Sequence, residues 1–200
     1  MGWIINNKGS HVGQVKSPKE FYLNEFNDHT LRVFSNLVTE CINQNQSLIP
    51  VYIESDGGRV DIMKGIMSVM DYGRKVGIQF ATIVNSRAQS AGAMIFLYGN
   101  EGLRFMGENA FLMLHPASVG TIGKIGEIKN MIDYHHDDWE KISDKIGKHL
   151  KKPKGWMKKE LGKIKDYDWI MTAQEAQDVK LCLAHSPTFI VNIEESLSVS

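Results

Sequence analysis

The sequence predicts an α/β protein with a mainly parallel sheet, and three observations carry that prediction. Short apolar runs with the character of buried strands recur at Leu48–Ile53, 78–84 and 110–114. Segments with apolar residues three and four apart lie between and beyond them. Strands separated by helices need crossover connections, and such connections join parallel neighbours.

Taken in order, residues 1–20 are rich in Gly, Asn, Lys and Ser without periodicity and read as a flexible or partner-dependent arm. From Leu31 the spacing becomes helical, with Phe34, Leu37, Val38 and Cys41 on one face. The strand Leu48–Ile53 ends at the turn Ser55-Asp56-Gly57-Gly58, whose glycines allow backbone angles closed to other residues. A second helix turns Ile62, Ile66, Val69 and Met70 inward and stops near Gly73 or Gly77. After the strand 78–84, a polar turn leads to a helix over 91–98 that begins at Ser90, and the strand 110–114 runs up to His115. Beyond a turn with Gly120 and Gly123 comes the longest periodic segment, about 124–150. It carries Ile125, Ile128, Ile132, His135, Trp139, Ile142, Ile146 and His149 in steps of three and four. That is a helix with one narrow apolar stripe, suited to packing on another helix, including one from another subunit. Pro153 ends it, and Thr172-Ala173-Gln174-Glu175 has the form of a capping box opening a short late helix. The boundaries are then an arm over 1–20, a single domain over 21–193 and a C-terminal tail over 194–200.

A chain of 200 residues with 42% hydrophobic content can bury a sizeable core. Its net charge near zero gives no reason to expect nucleic acid or an anionic membrane as partner. Cys41 and Cys182 have no CxxC or zinc-ligand neighbours and read as reduced core thiols. Met1 to Asn7 turns polar too quickly for a secretion signal, and no apolar run approaches the ~20 residues of a membrane span. A soluble, cytoplasmic protein is expected. Between 141 and 165 stand ten lysines against Asp144 and Glu160. Without aromatic interleaving this reads as a solvated face, balanced in part by Asp133, Asp137, Asp138 and Glu140. His135, His136 and His149 read as packing and surface residues rather than metal ligands.

For chemistry, a serine hydroxyl needs a base to take its proton, an acid to orient that base, and preset donors for the oxyanion. Ser90 stands at a strand-to-helix junction among Ala and Gly, where the N–H of Ala91 has no helical partner. His115 closes a strand, where parallel α/β sheets tend to place ligand-binding groups. Gly57-Gly58 closes an earlier strand and offers a second donor. Each feature also has a plain structural explanation: an N-cap, a hydrogen-bonded histidine, a turn. From the residues alone the reading stops at a candidate hydrolase.

Four stretches in order extend it. Ser55-Asp56-Gly57-Gly58, then Ala88-Gln89-Ser90-Ala91-Gly92-Ala93, then Met113-Leu114-His115-Pro116, then the run from Asp166 through Trp169 to Ala176 resemble the proteolytic subunit of the Clp protease, ClpP. The resemblance covers roughly residues 21 to 185. It implies a ClpP/crotonase-like spiral of ββα units in which the long helix is a protruding handle. By position it makes Ser90 the nucleophile, His115 the general base and acid, and Asp168, the second of the Asp166-Tyr167-Asp168 pair, the orienting acid. It makes Gly58 and Ala91 the oxyanion donors, with the substrate strand paired along the segments after Gly58 and after His115. It implies self-assembly into a heptamer or a stacked tetradecamer, polypeptide substrates, an AAA+ unfoldase such as ClpX or ClpA as partner, and no cofactor or metal.

The chain departs from the family pattern in a longer segment between His115 and Asp168, in an N-terminal arm with little likeness to the family's axial loops, and at four residues. Asp56 stands where the family has proline, Ala91 where it has methionine, and Pro116 directly follows the histidine. Tyr167 replaces an arginine that pairs across the ring interface. Asp56 and Tyr167 leave open a catalytically silent structural subunit, and the shared superfamily leaves open a crotonase-type acyl-CoA enzyme.

Overall fold

The computed structural model of the protein describes residues 19–184 except 117, 119, 121 and 165–167. Most of the N-terminal arm, the tail 194–200, Asp166 and Tyr167 therefore lie outside the described residues.

The α/β expectation holds. Strands β1 (Phe21–Leu23), β2 (Leu48–Ile53) and β3 (Gln79–Val84) alternate with helices α1 (Asp28–Asn43) and α2 (Val60–Lys75). Then come β4 (Arg87–Gln89), α3 (Ala91–Leu97), β5 (Arg104–Met106) and β6 (Phe111–Leu114). The long helix α4 (Ile125–His149) is followed by α5 (Trp156–Leu161), β7 (Trp169–Thr172), α6 (Ala173–Asp178) and β8 (Leu183–Ala184). One sheet has the order β1-β2-β3-β5-β8, all parallel. A second has the order β4-β6-β7, with β4 parallel and β7 antiparallel to β6.

Local chemistry sets the ends of these elements. Asn27 caps α1, its side chain accepting from the Thr30 N–H at 2.9 Å, so the helix starts three residues before its first apolar position. The capping box of α6 forms as the sequence expects, with Thr172 and Glu175 each accepting the other's backbone N–H. Helix α1 buries Phe34, Val38 and Cys41, and α2 buries Ile62, Met63, Ile66, Met67 and Met70. Phe34 touches both Phe21 and Phe80, with ring centroids 4.8 and 6.0 Å away, and so locks α1 onto β1 and β3. Cys41 and Cys182 are buried free thiols.

One element is packed within the chain only in part, and another differs from expectation. The apolar stripe of α4 is buried only toward its C-terminal end, at Ile142 and Ile146, while Ile125 and Ile132 are 88% and 52% exposed. Strand β4, read from sequence as a polar turn, is three residues held by β6 on one side and by the isolated Ser55–Ala88 bridge on the other. Pairing from both sides, not the character of Arg87-Ala88-Gln89, makes it a strand.

Four of the ten lysines between 141 and 165 are engaged in ion pairs. Lys145, Lys151, Lys158 and Lys163 reach Asp71, Glu101, Glu140 and Glu160. No helix among the described residues is long and apolar enough to cross a membrane.

Candidate active site

The site forms where the two sheets meet. The Ser55 N–H donates to the Arg87 carbonyl at 3.2 Å and the Gln89 N–H to the Ser55 carbonyl at 2.9 Å, stitching the end of β2 to β4. The chain then has to reverse into α3, all seven of whose residues are buried. Small residues make that turn tight: a Cβ on Gly92 would stand only 3.3 Å from the Ser55 Cβ.

Ser90 takes the turn at φ 52° and ψ −119°, a conformation that a side chain rarely adopts. Such strain costs about 1–3 kcal/mol and survives only where the surroundings over-determine it. Here the Ser90 N–H is bound to the Met113 carbonyl at 2.8 Å, and its own carbonyl accepts from Met94. The hydroxyl makes no capping hydrogen bond, although Ser90 occupies the N-cap position of α3. The N-cap explanation of this serine therefore fails, and its Oγ is left for another use.

The glycine turn lies against it. Gly57 has φ 102° and Gly58 φ 151°, both in the range that favours glycine. A Cβ on Gly57 would come within 2.7 Å of the Ser90 Cβ and 3.3 Å of the Ala91 nitrogen. Gly58 instead bridges Phe26, whose Cβ would stand 2.9 Å from a Cβ on Gly58. Sequence reasoning singled out Gly58 and Ala91; it is Gly57 whose backbone rests on the serine.

Ser90, Ala91 and half-buried His115 line one cavity. Its volume is about 40 Å³, room for a water or two, so the site is a narrow cleft. Val60, Met63 and Met94 form apolar walls, and α4 closes it with His135, Asp138, Trp139 and Ile142. Sequence reasoning placed His135 and Asp138 on a packing or solvated face and so missed that they border the cleft. The signal was there in their neighbour Trp139, which sits on the apolar stripe. Lys64 donates to the Asp138 carboxylate at 2.7 Å, and this bond raises the Lys64 pKa. The Trp139 indole nitrogen is buried with no hydrogen-bond partner among the described residues.

Asp168 is exposed, just before β7, and is not among the cavity-lining residues. Leu114 and Trp169 are the last pair of the antiparallel β6–β7 ladder, and His115 and Asp168 each lie one residue beyond it. Among the described residues no hydrogen bond or ion pair joins Asp168 to His115, or His115 to Ser90.

Asp56, which stands where the family has proline, is held away from the cleft. It is exposed, and Arg87 and Gln89 hold its carboxylate on β4. The hydrogen bond from Arg87 keeps its pKa below the usual carboxylate range. Among the described residues no group of three or more His, Cys, Asp or Glu is arranged to hold a metal ion.

In comparison with known families, the model described as Clp protease matches residues 16–182, most of the chain.

Proposed function

The chain belongs to the Clp protease family and has the α/β fold of a ClpP-like protein, and on that premise we propose that it is a serine endopeptidase acting through Ser90, His115 and Asp168. His115 takes the Ser90 proton as the hydroxyl attacks a peptide carbonyl, then returns it to the leaving amine. Asp168, just before β7, orients His115 once the two approach within hydrogen-bond distance. The N–H groups of Gly58 and Ala91 receive the oxyanion, with Gly57 holding the turn against the serine. This chemistry calls for no metal or cofactor.

The observation that carries the reading is Ser90 itself. It is a non-glycine residue in strained backbone whose hydroxyl caps nothing, in a cleft shared with a histidine. The exposed apolar residues of α4 support the further proposal that the chain self-assembles into a heptamer or tetradecamer with its handles interlocked. Polypeptide substrates, feeding by an AAA+ unfoldase such as ClpX or ClpA, and a cytoplasmic location belong to the same proposal. The family match takes the place of the acyl-CoA alternative.

A fluorophosphonate probe and fluorogenic peptides test this on the purified chain, with mass photometry reporting the assembly. We expect Ser90 to be labelled and peptides to be cleaved, with both lost in Ser90→Ala while the oligomer persists. The second reading, a catalytically silent subunit, draws on the exposed position of Asp168 outside the cleft. It predicts full-size oligomers that neither label nor cleave, and that result would displace the peptidase reading.

A further inference from the structure

The turn Gly57-Gly58 bears directly on Ser90, yet glycine is the residue least able to hold a backbone still. Something must fix the turn, and the structure puts the fixing groups on either side of it. Ser55, buried, is bridged to Ala88 by backbone pairing, and its hydroxyl accepts from the Gly57 N–H at 3.2 Å. Asp56 reaches across to the same strand. The Arg87 Nε and Nη2 donate to its two carboxylate oxygens, and Gln89 Nε2 donates to Oδ1 at 2.8 Å. Both side-chain partners are on β4, and Gln89 immediately precedes Ser90. A two-pronged arginine–carboxylate pair fixes direction as well as distance. Glu54 lies 3.7 Å from the same guanidinium.

We propose that Asp56, Arg87 and Gln89 form a clamp that holds the glycine turn in register with Ser90, making Asp56 a positioning residue for the reaction. The inference rests on the reading of Ser90 as nucleophile. The clamp joins the residue before Gly57 to the residue before Ser90, so it sets the one spacing that the oxyanion site cannot vary. Its members are exposed, Asp56 by 69% and Arg87 by 37% of their side chains. The pairing is therefore open to screening by salt, and so is the geometry it holds.

The test measures the rate of Ser90 phosphonylation by a fluorophosphonate, and kcat and KM for a fluorogenic peptide, on the assembled protein at low and high salt. Asp56→Ala should slow phosphonylation and lower kcat roughly tenfold, with KM little changed, because the donors are displaced rather than the substrate lost. Raising the salt should slow the wild type toward the Asp56→Ala rate and leave that variant unaffected. The charge-reversed pair Asp56→Arg with Arg87→Asp should recover part of the rate. A merely structural contact would instead lower Tm or the oligomer population without changing kcat per folded chain. Unchanged kcat and unchanged salt response in Asp56→Ala would overturn the clamp while leaving Ser90 as nucleophile. Failure of the wild type itself to label at Ser90 would remove the reading beneath it, and the clamp with it.

Discussion

Gly57→Ala is the sharpest single perturbation of this site. The new Cβ would lie 2.7 Å from the Ser90 Cβ and 3.0 Å from the Gln89 carbonyl oxygen. Ordinary contacts begin at 3.4 Å, so the turn or the serine must move by about 0.7 Å (3.4 − 2.7). Neither neighbour is the free end of a flexible side chain. Overpacking of this kind costs about 1–3 kcal/mol, and holding alanine at φ 102° adds strain of order 1–3 kcal/mol. With partial relaxation the variant should lose about 2–4 kcal/mol, a fall in Tm of order 5–15 °C for a domain of this size. Misplacing a reacting group by 1 Å costs on the order of 100-fold in rate, so Ser90 phosphonylation should fall tens-fold per folded chain. Thermal unfolding and fluorophosphonate labelling, each normalised to folded protein, read the two effects. Gly73→Ala is the control. Its Cβ would meet the Phe80 ring at 2.7 Å, so it should cost stability without altering the reactivity of Ser90. If Gly57→Ala unfolds and labels like the wild type, the glycine turn does not rest on the nucleophile and the site as described is wrong.

Three further predictions follow from the same geometry. Ser90→Gly should be more stable than Ser90→Ala by about 1 kcal/mol, since glycine relieves the strain at φ 52° and that gain exceeds its backbone-entropy cost; equal urea midpoints would show that the turn is unstrained. Thr172→Ala removes the side-chain cap of α6 beside β7 and should cost about 1 kcal/mol in urea unfolding, with no change in stability counting against the capping box. Burial lowers the pKa of His149, which is held against Tyr98 and the Gly99 carbonyl. The unfolded chain then binds the proton more readily, so this contribution is complete above the ordinary value of 6.5 and is lost as pH falls below it. His149→Leu should flatten that limb in unfolding measurements between about pH 7 and 5. Arg104 still donates to the Gly99 carbonyl in that variant, so no buried acceptor is orphaned, and an unchanged slope would exclude His149 as its source.

The candidate site was legible in the sequence to different depths. Ser90, His115 and Asp168 were singled out through four ordered stretches, and the structure puts Ser90 and His115 along one cavity and Asp168 outside its lining. Gly57 was seen only as part of a turn, and which glycine presses on the serine depends on two peptide planes that composition does not specify. Asp56 read only as a departure from the family pattern, because sequence shows its neighbours along the chain and not Arg87, thirty-one residues on. His135 and Asp138 escaped notice for the same reason: their place at the cleft depends on how α4 lies across α2, through contacts such as Lys64–Asp138.

What the sequence by itself determined is the alternation of elements. Apolar periodicity made α1, α2, α4 and the strands β2, β3 and β6 recognisable, because local spacing decides which face can be buried. The tertiary structure alone decided the rest. Strand β4 exists because neighbours on both sides pair with it, and the strain at Ser90 persists because hydrogen bonds from other segments hold it. That His115 and Asp168 each lie one residue beyond the Leu114–Trp169 pair follows from a register between strands more than fifty residues apart. Each of these is an interaction between distant segments, and its energy appears only when the chain has closed the loop between them.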